Sequence, residues 1–398
     1  MSVQRERRRA LWVIVAAATL TVMAGAILAP VVPQIQTELG VSDTAAGLII
    51  TTHGGVIVLA SPVVGSVVDR VGPRRPFIAG LAVYGVGGGA GLLVDSFLPL
   101  LASRVVLGVG TAAVYTSITV LIYELYEGQA MERALGFRSS ANSAGAAVWP
   151  LVGGAAGTLA WNVPFGVYLV ALPLGLVAVL TVPETRRGSG ATEGPNRNDQ
   201  SASMSERVRA TLAVFGRHPP LAFVYLLYFG SNVLLYAIVV FYPQFLSGVG
   251  IRSSFAISLY LAANGAAGGL SAAAYDRLVG FTSRGRLVLA ALALWLVGLG
   301  AATVIGTAAT AMVPVVLFGL GLGLVFPSTF AWVEQFAPAD RQGQFSAYVA
   351  SVGYTGQFVS PLLFGPLVPL VGVRGVFGVA AVAAGLGLVG LGTAQLRG

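Results

Sequence analysis

A helix crossing a bilayer must satisfy its own backbone hydrogen bonds in hydrocarbon, and it needs roughly 20 apolar residues to do so. That requirement governs this chain, because such stretches recur along almost all of its 398 residues. Twelve are read, at 11–33, 44–66, 76–94, 98–122, 139–160, 164–182, 220–246, 253–273, 286–306, 309–333, 343–366 and 373–395. No single soluble core hides them, since 56% of the residues are hydrophobic and only 10% charged. The expected fold class is an all-α integral membrane protein with twelve transmembrane helices. Between the sixth and seventh spans runs PETRRGSGATEGPNRNDQSASMSERVRA, polar and rich in Gly, Ser and Asn, which reads as a flexible linker. The expected organisation is a six-helix bundle at 1–183, a cytoplasmic linker at 184–219 and a second six-helix bundle at 220–398. The end of the linker, 204–215, has the pattern of a short amphipathic helix on the membrane surface.

Orientation follows from the basic residues, all of which are Arg because the chain has no Lys. Arg5 to Arg9, Arg70, Arg74, Arg75, Arg133, Arg138, those from Arg186 to Arg217, Arg277, Arg284, Arg286, Arg341 and Arg397 fall on one side of the twelve-span arrangement. Only Arg252 and Arg374 fall opposite. The positive-inside rule then places both termini and the linker in the cytoplasm of a multi-pass plasma-membrane protein. The net charge of +8 describes that face and calls for no nucleic-acid partner. The first apolar run is longer than the core of a secretory signal and is read as a retained helix.

Internal repetition fixes the architecture further. GAAVWPLVGG at 145–154 aligns with GQFVSPLLFG at 356–365, ERALGF with DRQGQF, Asp69-Arg70 with Asp276-Arg277, and PFGV around Phe165 with VFGV around Phe377. All four keep chain order at an offset of about 210 residues, which points to a parallel duplication and two pseudo-symmetric six-helix bundles.

The chain resembles the major facilitator superfamily, and within it the twelve-helix drug:proton antiporter branch, over essentially its full length. Gly65, Asp69, Arg70, Gly72 and Arg74 match the loop motif G-x-x-x-D-R-x-G-R-[RK] between helices 2 and 3, with Pro73 where that motif has an Arg. Pro30 and Pro33 close helix 1 as they do in relatives. Arg104, Gly108 and Gly110 resemble R-x-x-Q-G-x-G in helix 4, with Leu107 in place of Gln. Gly145, Pro150, Gly153 and Gly154 resemble the antiporter motif G-x-x-x-G-P-x-x-G-G in helix 5, with Trp149 in place of the Gly before Pro. The resemblance implies a secondary transporter that exports small lipophilic molecules or drugs, driven by the proton gradient and with no bound cofactor. It implies a monomer in the lipid bilayer with a small-molecule substrate. It also implies that Asp69 latches the cytoplasmic side against helix 11, and that Glu124 pairs with Arg70 or Arg74. The second half carries a fainter copy of this gate in Asp276, Arg277 and Glu334.

None of the acids reaches the middle of the expected spans, whereas proton-coupled relatives often place a carboxylate there. Two ionisable groups remain at depth, His53 in the second span and Arg104 in the fourth. An ionisable group inside a membrane is a functional candidate because placing it there is costly. His exchanges a proton near neutral pH and Arg does not, so His53 is the expected coupling site, with Arg104 tuning it or holding an anion. A neutral His bonded to a neighbouring helix is the structural alternative. In relatives the cavity is lined by helices 1, 4, 7 and 10, which gives Met23, Tyr115, Tyr228, Asn232, Phe326 and Trp332 as cavity candidates. Without a midplane acid, neutral or anionic lipophiles fit better than permanent cations. An uptake carrier or facilitator for a metabolite, a membrane-integral enzyme and a non-transporting sensor are the alternatives. The enzyme lacks support, because Cys is absent, His218 is the only other His, and a phosphate loop needs a Lys.

Overall fold

The computed structural model describes residues 2–184, 214–338 and 341–397. The expected flexible linker and most of the amphipathic stretch at 204–215 lie outside the described residues. Twelve crossing helices follow one another: α1 Ser2–Ala26, α2 Asp43–Val71, α3 Arg74–Gly89, α4 Phe97–Leu125, α5 Gly128–Gly157, α6 Val163–Thr181, α7 Pro219–Gly248, α8 Ser254–Phe281, α9 Arg284–Ala302, α10 Met312–Phe336, α11 Gln342–Phe364 and α12 Val368–Arg397. Nine segments among the described residues are long and apolar enough to cross a membrane. One of them, 344–393, spans most of both α11 and α12, which are joined by a turn at Gly365–Leu367, and α12 kinks at Gly372, whose φ is 70°. The short α3 and the Ser- and Gly-rich α5 complete the twelve.

Local chemistry explains where the helices begin. Ser42 caps α2 by accepting from the Ala45 amide, and Ser253 caps α8 by accepting from Ala256. Each is preceded by a glycine of positive φ, Gly40 at 60° and Gly250 at 93°, a conformation that a Cβ disfavours. The two caps occupy equivalent places in the sequence repeat. Outward-facing apolar residues such as Leu59 (78% exposed) and Phe281 (89%) form the surface offered to lipid.

Helices α1 to α6 form one bundle and α7 to α12 the other, and two symmetric contacts join them. α5 packs on α8, where a Cβ at Gly154 would stand 2.5 Å from Ser258 Cβ. α11 packs on α2, where a Cβ at Gly365, the repeat partner of Gly154, would stand 2.8 Å from Thr44 Cα. Both contacts lie at the end of the molecule that is poor in Arg. Toward the Arg-rich end the same helices part. The Cβ positions of Gly65 in α2, Gly136 in α5 and Gly269 in α8 meet nothing within 4 Å, and Ser139, Ser140 and Ser143 of α5 are exposed. The bundles are therefore sealed at one end and open at the other.

Candidate functional site

The seal is built from glycines that admit the opposite bundle's backbone. Gly47 of α2 faces Pro361 and Val240, Gly54 faces the Tyr354 carbonyl, and Gly157 faces Ser254. The Ser254 hydroxyl donates to the Gly154 carbonyl at 2.8 Å, tying α8 to α5. Gly153 differs from its neighbour Gly154, since its missing Cβ makes room for the Ile27 carbonyl at the end of α1, inside its own bundle. Gly145 faces α1 beside Trp149, whose indole N–H donates to the Thr19 carbonyl at 3.0 Å. The Trp that departs from the antiporter motif thus fastens α5 to α1 below the buried Pro150.

Near that seam sits His53, 1% exposed on α2. Its Nδ1 is 2.7 Å from the Ile50 carbonyl, which only accepts, so Nδ1 carries the proton and Nε2 is left with a lone pair. Gly25 of α1 opens the space beside that ring. A Cβ there would stand 2.9 Å from Tyr236 Oη of α7 and 3.1 Å from His53 Cε1. His53 therefore lies against a contact between the two bundles.

Arg104 is fully buried within the first bundle. Its guanidinium carbon lies 5.0 Å from the Phe165 ring centroid and 4.8 Å from that of Tyr168, and Nη2 donates to the Gly88 carbonyl at 3.0 Å. Nη1 is buried with no partner. Aromatic faces and one carbonyl hold this cation without any carboxylate among the described residues. Enclosure by α3 and α6 separates it from the open space between the bundles.

The aromatic candidates divide into two groups. Tyr228 packs on Phe326 (centroids 5.1 Å apart) and Phe330 (6.0 Å), and Asn232 lies one turn further along α7, where its side chain accepts from Gln357 at 3.3 Å. Tyr115 of α4 instead meets Tyr354 of α11 edge-on at 5.8 Å, across the two bundles. Trp332 is half-buried against α7 and α11, whereas Met23 is completely buried in the core of the first bundle and lines no open space.

One group at depth escapes the sequence reading. α5 begins at Gly128 and not near 139, so Arg138 stands ten residues inside a helix rather than in a loop. Its Nη1 donates to Thr119 Oγ1 of α4 at 2.9 Å, and its guanidinium lies 5.1 Å from the Tyr115 centroid. The sequence reading, which begins this span near 139, is corrected at that boundary, and Arg138 belongs to α5. Ser, Asn and Gly dilute the hydropathy of α5 and mask its first turns in the sequence. The available signal is that no Pro interrupts the stretch from Gly128 to Trp149.

At the Arg-rich end Gly72 terminates α2 with a φ of 80°, and Asp69 and Arg70 are exposed. Arg74 pairs with Glu184 at 2.9 Å and also donates to the carbonyls of Val179 and Val182, so it ties the start of α3 to the end of α6. Glu124 is exposed and forms no ion pair with Arg70 or Arg74. Asp276, Arg277 and Glu334 are exposed at the same end of the second bundle. A lateral apolar groove of about 220 Å³ between α2, α3 and α4, lined by Val63, Val67, Pro76, Val83 and Val109, offers no polar group for chemistry.

The family model described as Major Facilitator Superfamily matches residues 14–361. The chain is 27% identical over 150 residues to the bacillibactin exporter of Bacillus subtilis, covering 36% of this chain and 37% of that protein. It is 29% identical over 165 residues to multidrug resistance protein 1 of the same organism, covering 40% and 42%. These matches thus span only about two fifths of those relatives' length. The hexuronate transporter of B. subtilis is 23% identical over 351 residues, covering 84% and 82%. Among solved structures, a bacterial homologue of the human lysosomal transporter Spinster, in an inward-facing and unoccupied conformation, superposes with a TM-score of 0.80 at 16% identity, covering 97% of this chain and 95% of that one.

Proposed function

Because the chain belongs to the major facilitator superfamily of membrane transporters, we propose that it is a secondary active transporter that exports small lipophilic molecules in exchange for protons. The observation that carries this reading is the pairing of a sealed Arg-poor end with an open Arg-rich end around aromatic side chains from both bundles. With the Arg-rich end in the cytoplasm under the positive-inside rule, this is the state that loads substrate from inside. Exporters among the relatives, for bacillibactin and for drugs, favour that direction. Rocking about the α5–α8 and α2–α11 contacts exposes the same space to the other side. Asp69 and the residues around it act in this reading as the cytoplasmic gate, closing when the Arg-poor end opens.

His53 is the proton site of the cycle. No Asp or Glu among the described residues is buried, and the free Nε2 lone pair beside Tyr236 gives a proton a place at the bundle contact. Charging that ring changes how α1, α2 and α7 fit, which links protonation to rocking. Proteoliposomes with an imposed pH gradient and radiolabelled chloramphenicol test this. The wild type should accumulate the label, and His53→Gln should lose gradient-driven accumulation while keeping counterflow. Unchanged accumulation by His53→Gln removes the coupling role.

A further inference from the structure

Among the described residues Arg138 has no counter-ion. Its hydrogen bond goes to the neutral Thr119 hydroxyl, Nε and Nη2 have no acceptor among the described residues, and neither is fully enclosed, in contrast to Nη1 of Arg104. The ion pairs among the described residues all belong to Glu184. Glu132, the nearest acid on α5, is exposed a turn and a half away toward the Arg-rich end. A half-buried guanidinium whose remaining donors are not enclosed can take an acceptor brought by a ligand. The groups around it provide none that is charged. Tyr115 presents a ring face, Tyr354 crosses from the second bundle to touch Tyr115, and Asn142, one turn further along α5, has a buried carbonyl oxygen that is itself without a partner among the described residues.

We infer that Arg138 anchors the anionic head of the transported molecule, and that the substrate class is a lipophilic organic monoanion bearing a carboxylate or sulfonate. Resting on the export reading above, this names the charge of its substrate. Guanidinium donors held in a fixed fork match a carboxylate bidentately, and the bond from Nη1 to Thr119 fixes the fork's direction. The apolar body of such a molecule lies against Tyr115 and Tyr354 and toward the Tyr228–Phe326 pair. Arg104 is the other deep Arg, and its enclosure by Phe165, Tyr168 and α3 leaves no path for a ligand.

The test uses three probes with one apolar body: biphenyl-4-carboxylate, biphenyl-4-methanol and biphenyl-4-methylammonium. Binding to the purified full chain is read as ligand-dependent thermal stabilisation. The wild type should bind the carboxylate most tightly and the ammonium most weakly. Arg138→Gln should weaken the carboxylate by roughly 10- to 100-fold, the value of a charge-assisted pair, and leave the alcohol unchanged. Thr119→Val, which keeps the charge but frees its direction, should weaken the carboxylate by a smaller factor. The unchanged alcohol response certifies that each variant is folded. No preference for the carboxylate in the wild type, or equal carboxylate binding by wild type and Arg138→Gln, overturns the anchor. Chloramphenicol accumulation by the wild type judges the export reading separately, because that compound carries no anionic group.

Discussion

Gly153 and Gly154 are adjacent in sequence and face different bundles, so the same small substitution at each should have different consequences. A Cβ at Gly154 would lie 2.5 Å from Ser258 Cβ and 2.6 Å from the Ser254 carbonyl oxygen. Ordinary carbon contacts are about 3.5–4.0 Å, so α5 and α8 must separate by roughly 1 Å to admit a methyl group. Overpacking of this kind costs about 1–3 kcal/mol. The penalty exists only while the Arg-poor end is sealed, because the clashing atoms belong to opposite bundles. Gly154→Ala should therefore shift the balance toward the state open at that end by about 5- to 150-fold. A Cβ at Gly153 meets the Ile27 carbonyl at 1.8 Å within one bundle, so Gly153→Ala should lower stability in every state without favouring either. The chain contains no Cys, and a single Val240→Cys, buried against Gly47 in the seal, serves as a reporter without background. Its alkylation by a membrane-impermeant maleimide should quicken in Gly154→Ala and not in Gly153→Ala. Equal rates in Gly154→Ala and the parent, or equal acceleration by both variants, refute the assignment of Gly154 to a state-dependent contact.

Two further outcomes follow from the same geometry. The Tyr84 hydroxyl, fully buried on α3, donates to the Leu20 carbonyl of α1 at 2.6 Å. Tyr84→Phe removes it without a cavity, so the unfolding free energy should fall by roughly 0.5–1.5 kcal/mol, with Val240→Cys labelling unchanged. If Asp69 latches the Arg-rich end in the opposite state, Asp69→Asn should favour the state seen here and slow labelling at Val240→Cys, the reverse of Gly154→Ala. Faster labelling removes the latch.

The twelve spans are legible because ten of them are apolar enough to stand out, and the repeat is legible because Gly145, Pro150 and Gly154 recur as Gly356, Pro361 and Gly365. The pairing of Gly154 with α8 and of Gly365 with α2 is the spatial form of that repeat. The start of α5 was not legible, because a helix facing an open space is permitted Ser and Arg that a helix facing lipid is not. Arg138 was set in a loop for that reason. The partner of Arg74 was missed because Glu184 follows the last apolar residue of α6 and looks like linker. Met23 shows the opposite failure. It lies on a cavity-lining helix of the family, but helix numbering alone does not say which face of α1 it occupies, and it faces the bundle core.

The repeat gives the two bundles one fold, yet their interiors differ in charge. His53, Arg104 and Arg138 all belong to the first bundle, while the second has the amide Asn264 at the repeat position of His53 and valines, Val315 and Val349, at those of the two arginines. Of the two guanidinium groups, Arg104 is compensated in place by two ring faces and a carbonyl, and its charge is spent on packing. Arg138 has two donors with no acceptor among the described residues, which the proposed anion would meet. For the proposed export of an anion, the membrane potential supplies a driving force. A membrane potential that is negative inside expels an anion and draws in a proton, each worth about 2.3 kcal/mol per 100 mV. A carrier exchanging one for the other is driven twice by the same potential. A cationic cargo leaving against a proton would gain nothing from it. Two arginines, one histidine and no buried acid among the described residues are consistent with the first exchange and poorly suited to the second.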